Sequence, residues 1–95
     1  MAQTIGAQQL LALYRDAVFP GLDSVSRGFI ESDQEAVEIS IELDDFLQFS
    51  LLDGVRISDE LLDITEETVR GGWDSELTER TLGWIAKHRQ RNQAA

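Results

Sequence analysis

The chain has 95 residues, 42% of them hydrophobic and none of them cysteine. This length predicts a single domain over residues 1–95, which the charge and the helical patterns described below make an acidic helical domain, and the absence of cysteine excludes disulfide bonds, thiolate zinc sites and cysteine nucleophiles. The formal net charge is −10, which disfavours direct contact with nucleic acid or an anionic membrane and favours a basic protein partner.

The negative charge is concentrated in the middle of the chain. Residues 31–67 contain thirteen carboxylates and one arginine, whereas the segments before and after them carry net charges of 0 and +2. The first residues, Met-Ala-Gln-Thr-Ile-Gly, show no basic stretch followed by an apolar run, so they predict no secretory signal. No apolar run reaches the ~20 residues that cross a bilayer. We therefore expect a cytoplasmic protein that does not enter the membrane.

The first third of the chain predicts two helices. Five apolar residues recur at the spacing of one helix face, namely Ala7, Leu10, Leu11, Tyr14 and Val18. This helix must end before Pro20, because proline disfavours helical geometry at the preceding residue. Asp23 is then placed to cap a short helix that contains Val25 and Phe29.

Residues 32–52 fit two patterns. Ser32 to Glu35 has the form of a capping box at a helix start. Apolar residues then follow at helical spacing, which predicts one continuous helix over residues 32–52: Ile39, Leu43, Phe46, Leu47 and Leu51. Apolar and polar residues also alternate from Val37 to Leu43, as in a strand. The capping box and the length favour the helix, and the alternative is an α+β fold with a short strand at 36–43.

The remaining segments predict two more helices. Asp53-Gly54 breaks the chain, and Ser58 can cap a helix that ends at Gly71-Gly72. A last helix begins near Asp74, contains His88 as a partly exposed residue and ends in a solvated group of cations, Lys87, Arg89 and Arg91. The chain as a whole therefore predicts an all-α fold, a small bundle of four to five helices.

One spacing of carboxylates points to an enzyme. Glu35-x-x-Glu38 and Glu60-x-x-Asp63 place two acidic pairs on consecutive predicted helices, and such pairs can hold Mg²⁺ through oxygen ligands. This arrangement resembles the motif of the MazG-type all-α nucleotide pyrophosphohydrolases, which implies Mg²⁺-dependent hydrolysis of nucleoside triphosphates. Basic residues that could hold a triphosphate are few near the motif. The leading prediction is therefore a non-enzymatic protein with no catalytic residue, metal or cofactor, and the hydrolase is the alternative.

The predicted binding site is an acidic ridge. On a continuous helix, five carboxylates would recur every three to four residues along one side: Glu31, Glu35, Glu38, Glu42 and Asp45. Like charges at this spacing destabilise a helix, as is typical of a surface kept for binding. Phe46, Phe49 and Trp73 are the predicted apolar anchors.

This profile predicts an inhibitor or escort of a basic partner, such as an immunity or phage anti-defence protein. The acidic ridge would occupy the phosphate site of a partner that itself binds nucleic acid, and so act as a nucleic-acid mimic. A homo-oligomer held together by exposed apolar residues is a further alternative.

Overall fold

A computed structural model describes residues 5–94 of the chain. It contains five α-helices, α1 (Ala7–Ala17), α2 (Ser24–Glu35), α3 (Ile39–Leu52), α4 (Asp59–Arg70) and α5 (Thr78–Ala94), and a 3-10 turn at Phe19–Gly21. The all-α prediction is confirmed, and the alternative with a strand at 36–43 is wrong, because residues 5–94 contain no strand. The signal-peptide prediction concerns mainly residues 1–4, which lie outside the described range.

Interactions between residues close in sequence set most of the helix boundaries. Most of these boundaries lie where the sequence predicts them. α1 ends at Ala17, and Pro20 lies in the 3-10 turn that follows. The Asp23 carboxylate accepts a hydrogen bond from the Ser26 amide (2.9 Å), and the Ser58 hydroxyl accepts one from the Leu61 amide (3.2 Å). Each cap satisfies an amide that has no partner within its helix.

The predicted continuous helix over residues 32–52 is wrong. Ser32 lies inside α2 instead of capping a new helix, and the chain breaks at residues 36–38 before α3 begins. The break is a Schellman motif, in which the Glu38 amide donates to the Asp33 carbonyl and the Val37 amide donates to the Gln34 carbonyl (both 3.1 Å).

Val37 occupies the left-handed position of that motif, with φ = 55°. Glycine is the usual residue at this position, because a side chain there costs about 1–2 kcal/mol. The sequence therefore lacks the usual signal for a helix end. The break nevertheless allows α3 to turn back along α2, so that Ile30 and Leu43 are both fully buried.

All five helices contribute to one hydrophobic core. Its buried residues include Leu10 of α1, Ile30 of α2, Leu43 of α3, Leu62 of α4 and Ile85 of α5. α3 contacts α1, α2 and α5, and α4 contacts α1 and α5. No helix within residues 5–94 is long and apolar enough to cross a membrane.

Polar side chains hold the C-terminal helix, α5, in place, although the sequence predicts that they are exposed to solvent. His88 is fully buried, and its Nε2 donates to the Leu47 carbonyl (2.8 Å). Arg91 donates to the carbonyl of Leu51 in the last turn of α3 (3.2 Å) and to that of Val55 just after α3 (2.6 Å). The predictions of a partly exposed His88 and a solvated Arg91 are therefore wrong, because both side chains hold α5 against the end of α3.

Candidate protein-binding surface

The predicted acidic ridge does not lie on one helix. Glu31 and Glu35 belong to α2, Glu38 is the residue before α3, and Glu42 and Asp45 belong to α3. The break at residues 36–38 reverses the chain direction between the two groups, so the continuous ridge is wrong. The glutamates at 31, 35 and 38 remain exposed to solvent.

Two of the predicted contact residues are inside the protein. The Glu42 side chain is only 2% exposed and receives two hydrogen bonds from the Arg15 guanidinium (3.0 Å each) and one from Gln34 (3.3 Å). Phe46 is 0% exposed, and its ring lies 5.6 Å from the Tyr14 ring. Both residues lie on the side of α3 that packs against α1. The prediction that Glu42 and Phe46 are free to contact a partner is therefore wrong.

Trp73 does not lie on either acidic helix. It belongs to the connection between α4 and α5, where it is half-buried and packs against the core. Its indole Nε1 is buried and has no hydrogen-bond acceptor among the described residues.

Several arginines of the chain are neutralised internally. Arg15 pairs with Glu42 (2.9 Å), Arg80 with Asp44 (2.6 Å), and Arg89 with Asp63 (2.8 Å) and Glu66 (3.1 Å). Within residues 5–94, six exposed carboxylates of the acidic middle segment form no ion pair: Glu31, Glu35, Glu38, Asp59, Glu60 and Glu67. The charge that the acidic middle segment leaves at the surface is therefore predominantly negative.

The four carboxylates of the hydrolase-like motif are not arranged as the motif requires. Glu35 and Glu38 lie on opposite sides of the chain break, so they do not form an i, i+3 pair on one helix. Asp63 faces Arg89 on α5. In the described part of the chain, no group of three or more histidine, aspartate or glutamate side chains could hold a metal ion. The structure therefore does not form the arrangement of carboxylates on which the resemblance to the MazG-type hydrolases rests.

The buried pair of Ser50 and His88 resembles a nucleophile beside a base. The Ser50 hydroxyl lies 3.1 Å from His88 Nε2, but it also donates to the Leu47 carbonyl (3.1 Å). Both side chains are 0% exposed, so no substrate can reach them in the folded protein. Burial, reinforced by the charge of Arg91, lowers the pKa of His88 and keeps it neutral near pH 7. The pair has a structural role.

An apolar surface runs along α2 and α3 on their outer side. Val25, Phe29 and Leu52 are 68%, 55% and 71% exposed, which is unusual for large hydrophobic residues. Phe29 stacks on the half-buried ring of Phe49, with 5.5 Å between the ring centres and an angle of 22°. We call the surface formed by Val25, Phe29, Asp33, Ile41, Asp45, Phe49 and Leu52 the α2–α3 face.

Helical spacing places these residues in two facing rows. Val25, Phe29 and Asp33 follow one another at intervals of four along α2. The row on α3 runs in the opposite direction and comprises Leu52, Phe49, Asp45 and Ile41. Two contacts join the rows, because Phe29 stacks on Phe49 and the side chain of Asp33 contacts that of Asp45. Beyond the rows, the Asp23 amide donates to the Asp53 carboxylate (3.1 Å) and joins the start of α2 to the end of α3.

A pair of carboxyl groups interrupts the apolar rows. Burial, the hydrogen bond and charge of Asp33, and the charge of Asp44 together raise the pKa of Asp45 to about 8, although Arg80 opposes the shift. Near pH 7 the pair therefore holds a proton. Asp33 Oδ2 is buried and has no hydrogen-bond partner among the described residues. The α2–α3 face thus contains a polar group that is only partly satisfied.

Two of the residues on this face, Asp45 and Phe49, belong to the predicted site, whereas Val25, Phe29, Asp33, Ile41 and Leu52 were missed. The spacing of Ile41, Asp45, Phe49 and Leu52 on one side of α3 was the sequence pattern that could have identified the α3 row.

Other depressions of the described surface have volumes of about 250, 280 and 340 Å³, which are close to the lower end of the range for small-molecule pockets.

No protein-family model, curated protein or solved structure matches the chain. Its surface chemistry is therefore the guide to its function.

Proposed function

We propose that this protein is a non-enzymatic binding protein that engages a basic protein partner through its acidic surface and inhibits or escorts that partner. The observation that carries the proposal is the exposed negative charge of Glu31, Glu35 and Glu38. All three are exposed, and none forms an ion pair within residues 5–94, whereas Arg15 and Arg80 are bound to the buried carboxylates Glu42 and Asp44.

The charge distribution supports a role in recognition. Clustered exposed charge raises the association rate with an oppositely charged protein by 10–10³-fold. A protein that handles DNA or RNA presents such a basic surface, since it must bind phosphates. Occupation of that surface by the carboxylates of this protein would block the nucleic acid, which is the action expected of an immunity or anti-defence protein.

The test compares two triple variants that change net charge equally. Glu31→Lys/Glu35→Lys/Glu38→Lys reverses the exposed glutamates around the α2–α3 connection. The control, Asp16→Lys/Glu76→Lys/Glu79→Lys, reverses carboxylates that are also exposed but lie outside the acidic middle segment. Glu42 is left unchanged, because its reversal would remove the partner of Arg15 and disturb the core.

Each variant is immobilised and incubated with extract of the native host, and bound proteins are identified by mass spectrometry. We expect a basic protein that the wild type and the control retain and the first variant loses, while circular dichroism shows that all three remain helical. Retention of the same proteins by both variants would show that the charge near residues 31–38 does not determine binding.

A further inference from the structure

The side chains of the α2–α3 face are arranged in a regular pattern that a surface in contact only with water does not require. The α3 row has apolar side chains at both ends, and the α2 row runs from Val25 to Asp33. The aromatic pair lies next to the Val25 end, and the Asp33–Asp45 pair lies between Phe49 and Ile41. The surface therefore offers apolar contacts and, one helical turn away from the aromatic pair, a single acceptor site.

We propose that the α2–α3 face is the docking site for an amphipathic helix of the basic partner, with an arginine of that helix seated on Asp33 and Asp45. This inference rests on the proposed function and specifies where and how the partner binds.

The shape of the face fits a helix. Two antiparallel helices form a shallow groove between them. A partner helix binds apolar side chains along such a groove through its own residues at intervals of three to four positions. Ile41 and Leu52 are eleven residues apart on α3, which corresponds to ~16 Å, or about three turns of a partner helix. The ligand should present its apolar residues and one arginine on a single side.

The carboxyl pair fits an arginine in particular. A guanidinium group has five donors in a planar fork and can bond to two carboxylates at once, whereas the lysine ammonium is a compact and more strongly hydrated charge. Asp33 Oδ2 is itself enclosed, but the Asp33 and Asp45 side chains are only partly buried. An arginine would therefore approach the carboxyl oxygens of the pair that remain accessible from the surface.

Binding of the arginine should release the shared proton to the solvent. The charged groups that face Asp45 are Asp33 from α2, Asp44 from α3 and Arg80 from α5. Arg80 is already bound to Asp44 (2.6 Å), so the incoming guanidinium supplies the positive charge that the pair lacks. Loss of the proton then becomes favourable, and the affinity should rise with pH until Asp45 is ionised in the free protein, near pH 8.

Charge complementarity distinguishes this occupant from a second copy of the chain. In a twofold dimer through this face, each Asp33–Asp45 pair would meet the same face of the other copy, none of whose defining residues is a cation. A basic partner brings the opposite charge instead. The outcome in which the occupant is a second copy is included in the test.

The probe is a synthetic alanine-based helix of about four turns. It carries leucines and one arginine three to four residues apart on one side, with lysines on the flanks. The control peptide replaces that arginine by citrulline, which keeps the shape but has no charge. Binding is measured by fluorescence anisotropy at about pH 6.8 and about pH 8.5, a range in which arginine does not titrate.

We expect the arginine peptide to bind about five- to tenfold more tightly than the citrulline peptide at the higher pH. Its own affinity should be several-fold lower at the lower pH. Asp45→Asn should remove the pH dependence. Phe29→Ser/Leu52→Ser should weaken both peptides at least about tenfold, whereas Leu13→Ser, which changes an exposed leucine of α1 (40% exposed), should have no effect.

Equal binding of both peptides, or equal binding to wild type and Phe29→Ser/Leu52→Ser, would overturn this inference. A dimer in light scattering that Phe29→Ser/Leu52→Ser dissociates would also overturn it, because the face would then be occupied by a second copy. If the peptide fails while capture of the native partner still depends on Glu31, Glu35 and Glu38, the docking site is wrong but the proposed function stands.

Discussion

The carboxyl pair of Asp33 and Asp45 makes stability depend on pH in a defined direction. In the folded protein the pKa of Asp45 is raised to about 8 from its usual value of 3.8. The stabilisation by the bound proton is therefore complete below about pH 3.8 and is lost as pH rises toward 8. Asp45→Asn replaces the protonated acid by a neutral group of the same shape and should remove this loss.

The range from about pH 7 to about pH 9 isolates this effect. Burial lowers the pKa of His88, so this residue is neutral in the folded protein throughout this range. In the unfolded protein it is partly protonated near pH 7, and this makes stability rise slightly with pH, opposite in sign to the effect of Asp45. Burial raises the pKa of Tyr14, which affects stability only above pH 10. A single carboxyl with a pKa of about 8 changes the free energy of unfolding by up to ~1.4 kcal/mol over two pH units. Because Asp45 is only half-buried, we expect about 0.5–1 kcal/mol after allowance for solvent screening.

Urea denaturation followed by circular dichroism measures this difference. The midpoint of the wild type should fall by roughly 0.3–0.7 M from pH 7 to pH 9. The midpoint of Asp45→Asn should stay constant and exceed that of the wild type at pH 9. Glu67→Gln, which alters an exposed carboxylate on α4, is the control and should keep the wild-type slope. An equal slope in wild type and Asp45→Asn would refute the assignment of a shared proton to this pair.

Val37→Gly should stabilise the protein by about 0.5–1 kcal/mol, because glycine removes the strain at φ = 55°; an unchanged urea midpoint would argue against that backbone conformation. Arg15→Met should destabilise it by about 2 kcal/mol, since Glu42 would stay buried without its cation, and the double variant Arg15→Met/Glu42→Leu should recover much of the loss in the same assay. Incubation with Mg²⁺ and a panel of nucleoside triphosphates should release no pyrophosphate, and release that Asp63→Asn abolishes would favour the hydrolase instead.

The sequence predicted those features of the fold that depend on neighbouring residues. The end of α1 before Pro20 and the caps at Asp23 and Ser58 follow from local chemistry, and the structure confirms them. The end of α2 could not be predicted in this way, because Val37 stands where a glycine would mark the motif. Only the burial of residues on both helices makes the strained turn favourable.

The candidate site was only partly predictable for a similar reason. An acidic residue at helical spacing predicts an exposed side chain, but Glu42 is buried because Arg15, 27 positions earlier, reaches it from α1. Phe49 and Asp45 were identified on α3 alone. Their partners, Phe29 and Asp33, can be identified only from the packing of α2 against α3. This packing depends on the chain reversal that the sequence did not predict.

The central claim is that exposed carboxylates bring this protein to a basic partner, and the association rate constant tests it most directly. Stopped-flow measurements with the purified partner should show an association rate that falls at least about tenfold as salt rises from about 0.05 M to about 0.5 M, with a much smaller change in the dissociation rate. Glu31→Lys/Glu35→Lys/Glu38→Lys should associate slowly at every salt concentration. An association rate that is independent of salt and equal for wild type and this variant would contradict the account.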